Sequence, residues 1–208
     1  ISATPKLRAA FPQAKVLFGI AMGIDARRIG HAVDFTTRGI LQYGWEQNAE
    51  PYRPEVLLVK QALDKTPIPQ EIPADMERAC WQKFMLNVGY NQVTAAVDCF
   101  IYECTTVPNY FKLTSAAMQE VVELAKARGV NLTEDDRRHT EQFMAEFPRT
   151  AQTSMHQDIK AGRTTEVASF GGTVAAYGKE CGINTPVNEV LLEIILGKEE
   201  QNRQKIQK

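Results

Sequence analysis

Apolar and polar positions along the chain follow two rhythms. Lys15–Ile24 (KVLFGIAMGI) and Ala32–Tyr43 (AVDFTTRGILQY) are dense in β-branched and aromatic residues between turn-prone segments, which predicts strands. Residues 3–11 read as the end of a helix, and Pro54–Lys65 as a short amphipathic helix with proline at its start. Ile68–Ile72 reads as a brief strand, confined to a sheet edge by Pro69. The segment TPIPQEIPAD (66–75) then carries three prolines, and beyond it the rhythm is helical throughout. Helices are predicted over Asp75–Val97, Asn109–Arg128, Thr133–Phe147, Thr153–Ala161, Thr165–Cys181 and Pro186–Leu196. Gly129, Pro148 and Gly162 supply stops, and Thr133, ahead of Glu134-Asp135-Asp136, is a candidate cap. The tail GKEEQNRQKIQK is polar and predicted to fray. The fold class is α+β: a strand-bearing piece over 1–73, then an all-helical domain over 74–208.

One predicted helix breaks the surface pattern. At about 100° per residue, Lys83, Asn87, Tyr90, Asn91 and Thr94 fall on one arc of Trp81–Val97. Apolar residues, among them Trp81, Phe84, Met85, Leu86, Val88, Val93 and Val97, cover most of the remainder. An ordinary surface helix shows a broad charged face and a narrow apolar stripe. Two asparagines and Gly89 in a helix interior cost about 1–2 kcal/mol relative to alanine. Either this is an outward face with unremarkable amides, or Lys83, Asn87 and Asn91 line a cleft and hold a polar ligand.

Composition narrows the classes. The 208 residues are 44% hydrophobic and 24% charged, enough apolar material for a sizeable core. A net charge of −1 without a long basic block does not point to nucleic acid. No apolar run reaches the length of a membrane span, and ISATPKLRAAF lacks a signal-peptide core. Cys80, Cys99, Cys104 and Cys181 form no C-x-x-C pair and read as reduced cysteines of a cytoplasmic protein. His31, His139 and His156 stand at no metal-ligand spacing, and neither H-E-x-x-H nor a nucleophile elbow occurs.

Further polar clusters open the later helices. Ser154, in Thr153-Ser154-Met155-His156-Gln157-Asp158, is a candidate helix cap or a residue facing the Lys83 strip. Glu166, in Gly162-Arg163-Thr164-Thr165-Glu166, suits a helix start by its charge alone, or faces the same strip. Thr185-Pro186-Val187-Asn188-Glu189 is a structural helix start. Ala26-Arg27-Arg28-Ile29-Gly30 reads as a strand-connecting turn, and Gly171-Gly172 as a place of close packing.

Taken in order, these motifs resemble a family. W-x-K-x-x-x-N-x-x-x-N-x-x-T-A (Trp81 to Ala95), S-M-x-Q-D (Ser154 to Asp158), G-R-T-T-E (Gly162 to Glu166) and G-I-x-T-P-V-N-E (Gly182 to Glu189) together resemble ketopantoate reductase, the 2-dehydropantoate 2-reductase of pantothenate biosynthesis. The resemblance covers most of the helical domain, and A-R-R-x-G (Ala26 to Gly30) looks like the end of that family's nucleotide-binding domain. It implies a Rossmann domain followed by a helical domain of the 6-phosphogluconate-dehydrogenase-like type. No G-x-G-x-x-G turn occurs here, so it also implies that this chain is a fragment, inactive by itself, lacking the nucleotide-binding N-terminus. The implied cofactor is NADP, the implied partner a small 2-oxo acid, and the implied location the cytoplasm, with a homodimer left open. By the same resemblance Lys83 is the general acid, and Asn87, Asn91 and Ser154 bind substrate. Glu166 bridges substrate and cofactor and orients the lysine, and Ala26 sits near the nicotinamide ribose.

The resemblance has a gap. Where the family often supplies a further substrate-binding asparagine, this chain has Asp98-Cys99-Phe100-Ile101. A reductase for a different 2-oxo acid, or a non-catalytic binding or dimerisation module, are therefore alternatives.

Overall fold

In the computed structural model, which describes residues 1, 3–24, 27–35 and 37–206, the chain divides into two compact units, Ile1–Lys83 and Phe84–Lys208. In the first unit, α1 (Ala3–Ala10) precedes β1 (Phe18–Ile24), which pairs antiparallel with β4 (Arg38–Gly44) from Phe18 opposite Gly44 to Ile24 opposite Arg38. The segment expected as one strand over Ala32–Tyr43 is instead divided. β2 (Arg27–Ile29) and β3 (Ala32–Asp34) form their own hairpin, and only β4 joins β1. Gly39, the second residue of β4, has no room for a side chain. Its φ is +68°, and a Cβ there would stand 2.4 Å from the Met22 carbonyl oxygen, so only glycine fits.

After α2 (Pro54–Leu63), β5 (Gln70–Glu71) adds in parallel to β4, giving the sheet order β1-β4-β5. The expected edge strand is present in this short form, and Tyr43 Oη donates to Gln70 Oε1 at 2.6 Å across the pair. Phe18, Met76 and Cys80 are buried together, with Ile1, Ile20 and Ala79 packed on them. Burial pushes the Cys80 thiol up to about 11, so it stays protonated at neutral pH. Arg8 closes this unit. Its Nε donates to the Val16 carbonyl at 3.0 Å, its guanidinium pairs with Glu46, and it stacks over Phe18 and Trp45.

α3 (Met76–Leu86) leads into a π-helical turn (Asn87–Asn91) and then α4 (Gln92–Val97). The second unit continues with α5 (Ile101–Thr106), α6 (Pro108–Ala127), α7 (Glu134–Ala145) and α8 (Ser154–Lys160). A 3-10 turn (Val167–Ser169), α9 (Gly171–Cys181) and α10 (Pro186–Ile206) complete it. Local signals placed most of these. Pro108 and Pro186 stand at first helical positions, and Thr133 Oγ1 accepts the Asp136 N–H while Asp136 reaches back to the Thr133 N–H. Gly129 and Gly162 take φ of +77° and +69° where they stop α6 and α8. Cys80, Cys99, Cys104 and Cys181 are free thiols.

Four expectations need correction. α5 was not expected; it is short, and begins where Glu103 Oε2 accepts the Phe100 N–H at 2.8 Å. The helix expected from Thr165 starts only at Gly171, because Phe170 leaves helical geometry at ψ −87°. Gly171 itself is the close-packing position, since a Cβ there would stand 2.3 Å from Gln92 Oε1. Ser154 does not cap α8; Thr153 does, accepting the His156 N–H at 3.3 Å. The polar tail does not fray after Leu196 but stays helical to Ile206, because tertiary contacts hold it. Lys198 Nζ donates to the Ala95 carbonyl at 2.8 Å and Asn202 Nδ2 to the Ile159 carbonyl at 2.9 Å.

Buried polar groups tie the second unit together. Glu120 on α6 is almost fully buried and accepts the Val187 and Asn188 N–H groups of the first turn of α10, at 2.9 and 3.1 Å. Asn188 Nδ2 also donates to Glu120 at 2.6 Å, and Asn188 Oδ1 accepts from Gln92 Nε2 at 2.8 Å. A carboxylate at a helix N-terminus meets orphan N–H groups and the positive end of the helix dipole, which compensates its burial.

Candidate active site

No residue from Met76 to Val97 is exposed, so the amide-bearing strip is not a solvated face. Tyr90, Gln92 and Thr94 are fully buried and Asn91 nearly so, while Lys83 and Asn87 are half-buried. The strip therefore sits in a protein environment, where polar groups need partners. The π turn shows how the backbone accommodates them. It inserts an extra residue into the helical ladder and rotates the residues after it, a distortion that recurs at functional sites. The single arc drawn at regular helical spacing is consequently split at Asn87–Asn91.

The strip residues do different things. Thr94 is structural: its hydroxyl donates to the Tyr90 carbonyl at 2.7 Å and lies 2.6 Å from Thr153 Oγ1. Tyr90 Oη has no hydrogen-bond partner among the described residues, and burial pushes its ionisation far above the usual range. Lys83 Nζ donates to the carbonyl of Ala21 in β1. An ammonium carries three N–H donors, and this contact fixes the direction of one.

Ser154 is exposed at the first position of α8. Capping by Thr153 leaves its hydroxyl out of the cap. α8 packs against both α4 and the π turn, which brings the Ser154 helix to the element holding Asn87 and Asn91. Glu166 stands exposed at the head of the 3-10 turn, its carbonyl accepting the Ser169 and Phe170 N–H groups at 2.8 and 3.2 Å. Phe170, which ends that turn, packs its ring on Phe84 of α3 at 6.4 Å between centroids. Ala26 lies outside the described residues.

Sequence reasoning missed one pair beside these residues. Asp98 ends α4 in the left-handed region (φ 55°, ψ 53°), and its Oδ1 lies 2.7 Å from Nε2 of the fully buried His156. The hydrogen bond from His156 holds the Asp98 carboxyl below the usual carboxylate range, helped by Lys160 at 3.8 Å. Phe100 meets the His156 ring edge-on at 6.0 Å. The one available signal was that Asp98, like asparagine, tolerates a left-handed helix end. Nothing in the sequence paired it with His156. Among the described residues no three His, Cys, Asp or Glu side chains converge on a metal-sized site. No helix among them is long and apolar enough to cross a membrane.

The family model described as ketopantoate reductase PanE/ApbA C terminal matches residues 75–199. A 2-dehydropantoate 2-reductase of Halobacterium salinarum is 30% identical over 173 residues, covering 79% of this chain and 56% of the relative. One of Archaeoglobus fulgidus is 27% identical over 186 residues, covering 89% and 61%. The chain thus spans little more than half the length of these curated relatives. Among solved structures, a 2-dehydropantoate 2-reductase of Methylococcus capsulatus superposes with a TM-score of 0.82 at 22% identity, over 97% of this chain and 64% of that one. A D-mandelate dehydrogenase bound to NADH and anilino(oxo)acetate gives 0.85 at 20% identity, over 98% and 66%. At these identities the structures show a shared fold. With the family model covering the helical unit from before Lys83 to Glu199, the chain belongs to the ketopantoate reductase family through that family's C-terminal domain.

Proposed function

We propose that this chain carries the substrate-binding and proton-donating part of an NADPH-dependent 2-dehydropantoate 2-reductase, which converts ketopantoate to pantoate. The observation that carries the reading is the buried polar π turn. Asn87 and Asn91 are held at low exposure on a distorted helix inside the family-matched region, a costly arrangement for a helix with only a packing role. Asparagine amides both donate and accept, which suits the carboxylate and hydroxyl oxygens of a small 2-oxo acid. Ser154, released from capping, adds a hydroxyl from the helix packed on that turn.

In this reading Lys83 is the general acid. Addition of hydride to the carbonyl carbon leaves charge on the oxygen, and an ammonium both attracts that charge and gives it a proton. Glu166 fits the cofactor-facing role because its carboxylate is exposed and its backbone is held in a turn, so it can accept from ribose or substrate hydroxyls. Bound nicotinamide would supply the hydride; the residues here bind, orient and protonate. Residues 1–73 are then the final portion of a Rossmann-type nucleotide-binding domain, and 74–208 the helical domain. A cytoplasmic, homodimeric enzyme completes the reading; a Staphylococcus aureus ketopantoate reductase of the same fold is described as dimeric.

One observation favours a second reading, reduction of a different 2-oxo acid. Asp98-Cys99-Phe100-Ile101 stands where a further substrate asparagine was expected, and the D-mandelate dehydrogenase shares the fold. NADPH and NADH oxidation by the product of the complete reading frame, with ketopantoate and with an aromatic 2-oxo acid, separates the two. Lys83→Ala should lower kcat about 10²- to 10⁴-fold while circular dichroism stays unchanged. Normal turnover by the folded variant removes Lys83 from the mechanism. No turnover of any 2-oxo acid by folded wild type favours a binding or dimerisation module.

A further inference from the structure

We propose that Glu199, on the helix that ends this chain, is a positioning residue that acts through Glu166. The inference rests on the role proposed for Glu166 in the reductase. Glu199 is buried to 6% exposure, although it belongs to a polar stretch that reads as a solvated tail. One of its oxygens, Oε1, accepts both the Thr165 N–H at 2.7 Å and the Thr165 hydroxyl at 2.6 Å. The Thr165 hydroxyl in turn accepts the Val167 N–H at 3.2 Å. Glu166 is therefore bracketed: the residue before it is clamped by Glu199, and the residue after it is tied to that clamp. Its own carbonyl is occupied by the Ser169 and Phe170 N–H groups. The backbone that aims the Glu166 side chain is held on both sides.

The same turn of α10 reaches two other segments of the proposed site. Lys198 donates to Ala95 on α4, and Asn202 donates to Ile159 on α8, the helix that starts with Ser154. Burial lowers the Lys198 ammonium below its ordinary range, and Arg203 stands 3.7 Å from the second Glu199 oxygen. A buried carboxylate is expensive unless its bonds are made, and a helix needing only to pack would more cheaply place leucine there. Here a single buried carboxylate orders the turn headed by Glu166. The polar pattern of this helix is thus the imprint of three tertiary anchors.

The test is a double-mutant cycle on kcat in the product of the complete reading frame, with ketopantoate and NADPH. Glu199→Leu should lower kcat tenfold or more with less than a threefold change in KM for the 2-oxo acid. Glu199→Gln, which keeps a carbonyl oxygen for both Thr165 donors, should recover most of it. In a Glu166→Ala background, Glu199→Leu should cost nothing further, because both changes remove one function. Amide exchange at residues 165–170 should quicken in Glu199→Leu and return to the wild-type rate in Glu199→Gln. Multiplicative losses in the double variant would overturn the positioning role and leave Glu199 a general stability residue. Normal kcat in folded Glu199→Leu, with Glu166→Ala impaired, would overturn this inference alone. Normal kcat in Glu166→Ala would overturn the role of Glu166 itself, and this inference with it.

Discussion

Replacing Glu120 with alanine tests whether the buried polar network, rather than apolar packing alone, holds the helical unit in register. Three donors converge on this carboxylate: Val187 N–H at 2.9 Å, Asn188 N–H at 3.1 Å and Asn188 Nδ2 at 2.6 Å. Hydrogen bonds to a charged acceptor are worth about 1.5–3 kcal/mol each, which sets a ceiling of about 4.5–9 kcal/mol for the three. Two effects reduce it. The carboxylate's own desolvation cost is recovered when it is removed, and Asn188 Nδ2 keeps its bond to the Ala117 carbonyl at 3.1 Å. The two backbone N–H groups of the first turn of α10 are left without an acceptor. A net loss of about 3–5 kcal/mol results, or about 6–20 °C in Tm for a protein of this size. Glu120→Gln keeps one acceptor oxygen and should lose about 1–2 kcal/mol. Urea unfolding followed by far-UV circular dichroism, with thermal melts alongside, measures both. A loss below about 1 kcal/mol in Glu120→Ala would refute the reasoning, since it would mean that water replaces the carboxylate at no cost.

Two other perturbations probe neighbouring features. Gly89→Ala would place a Cβ 2.5 Å from Met118 Cγ; despite alanine's better helix propensity, a loss of about 1–2 kcal/mol is expected in the same unfolding assay, and a neutral result would show that Met118 moves aside. Asp98→Asn keeps the left-handed end of α4 but removes the charge facing His156. Because the Asp98 carboxyl is held below its unfolded value of 3.8, its contribution is full above that value and lost as pH falls through the lower folded value. The stability difference between wild type and Asp98→Asn should therefore narrow below pH 3.8, and a difference that stays constant down to about pH 2 would contradict a carboxylate held down by the His156 hydrogen bond.

Most helix positions were legible because their signals are local. Pro108 and Pro186 open helices, Gly129 and Gly162 close them, and the Thr133–Asp136 box marks its start within one turn of chain. The candidate site was legible as an oddity: amides at Asn87 and Asn91 on an otherwise apolar helix violate the usual surface pattern. The π turn was not, because a ladder with one extra residue is chosen by what packs around it, and regular spacing assumes the opposite. The cap of α8 falls one residue before the candidate Ser154, because serine and threonine can both cap and Thr153 is the one also held by Thr94.

The amino-acid sequence by itself determined the class of the fold, the run of helices after residue 75, and the unusual polar strip of Lys83, Asn87 and Asn91 on an otherwise apolar helix. These come from periodicity, caps and side-chain chemistry, which act over a few neighbouring residues. Only the tertiary structure decided that Asp98 faces His156 across 58 residues, and that Glu199 clamps Thr165 across 34. It alone decided that the polar tail is an anchored helix. A polar side chain has the same composition whether water or a distant residue satisfies it, and burial by long-range packing makes the choice.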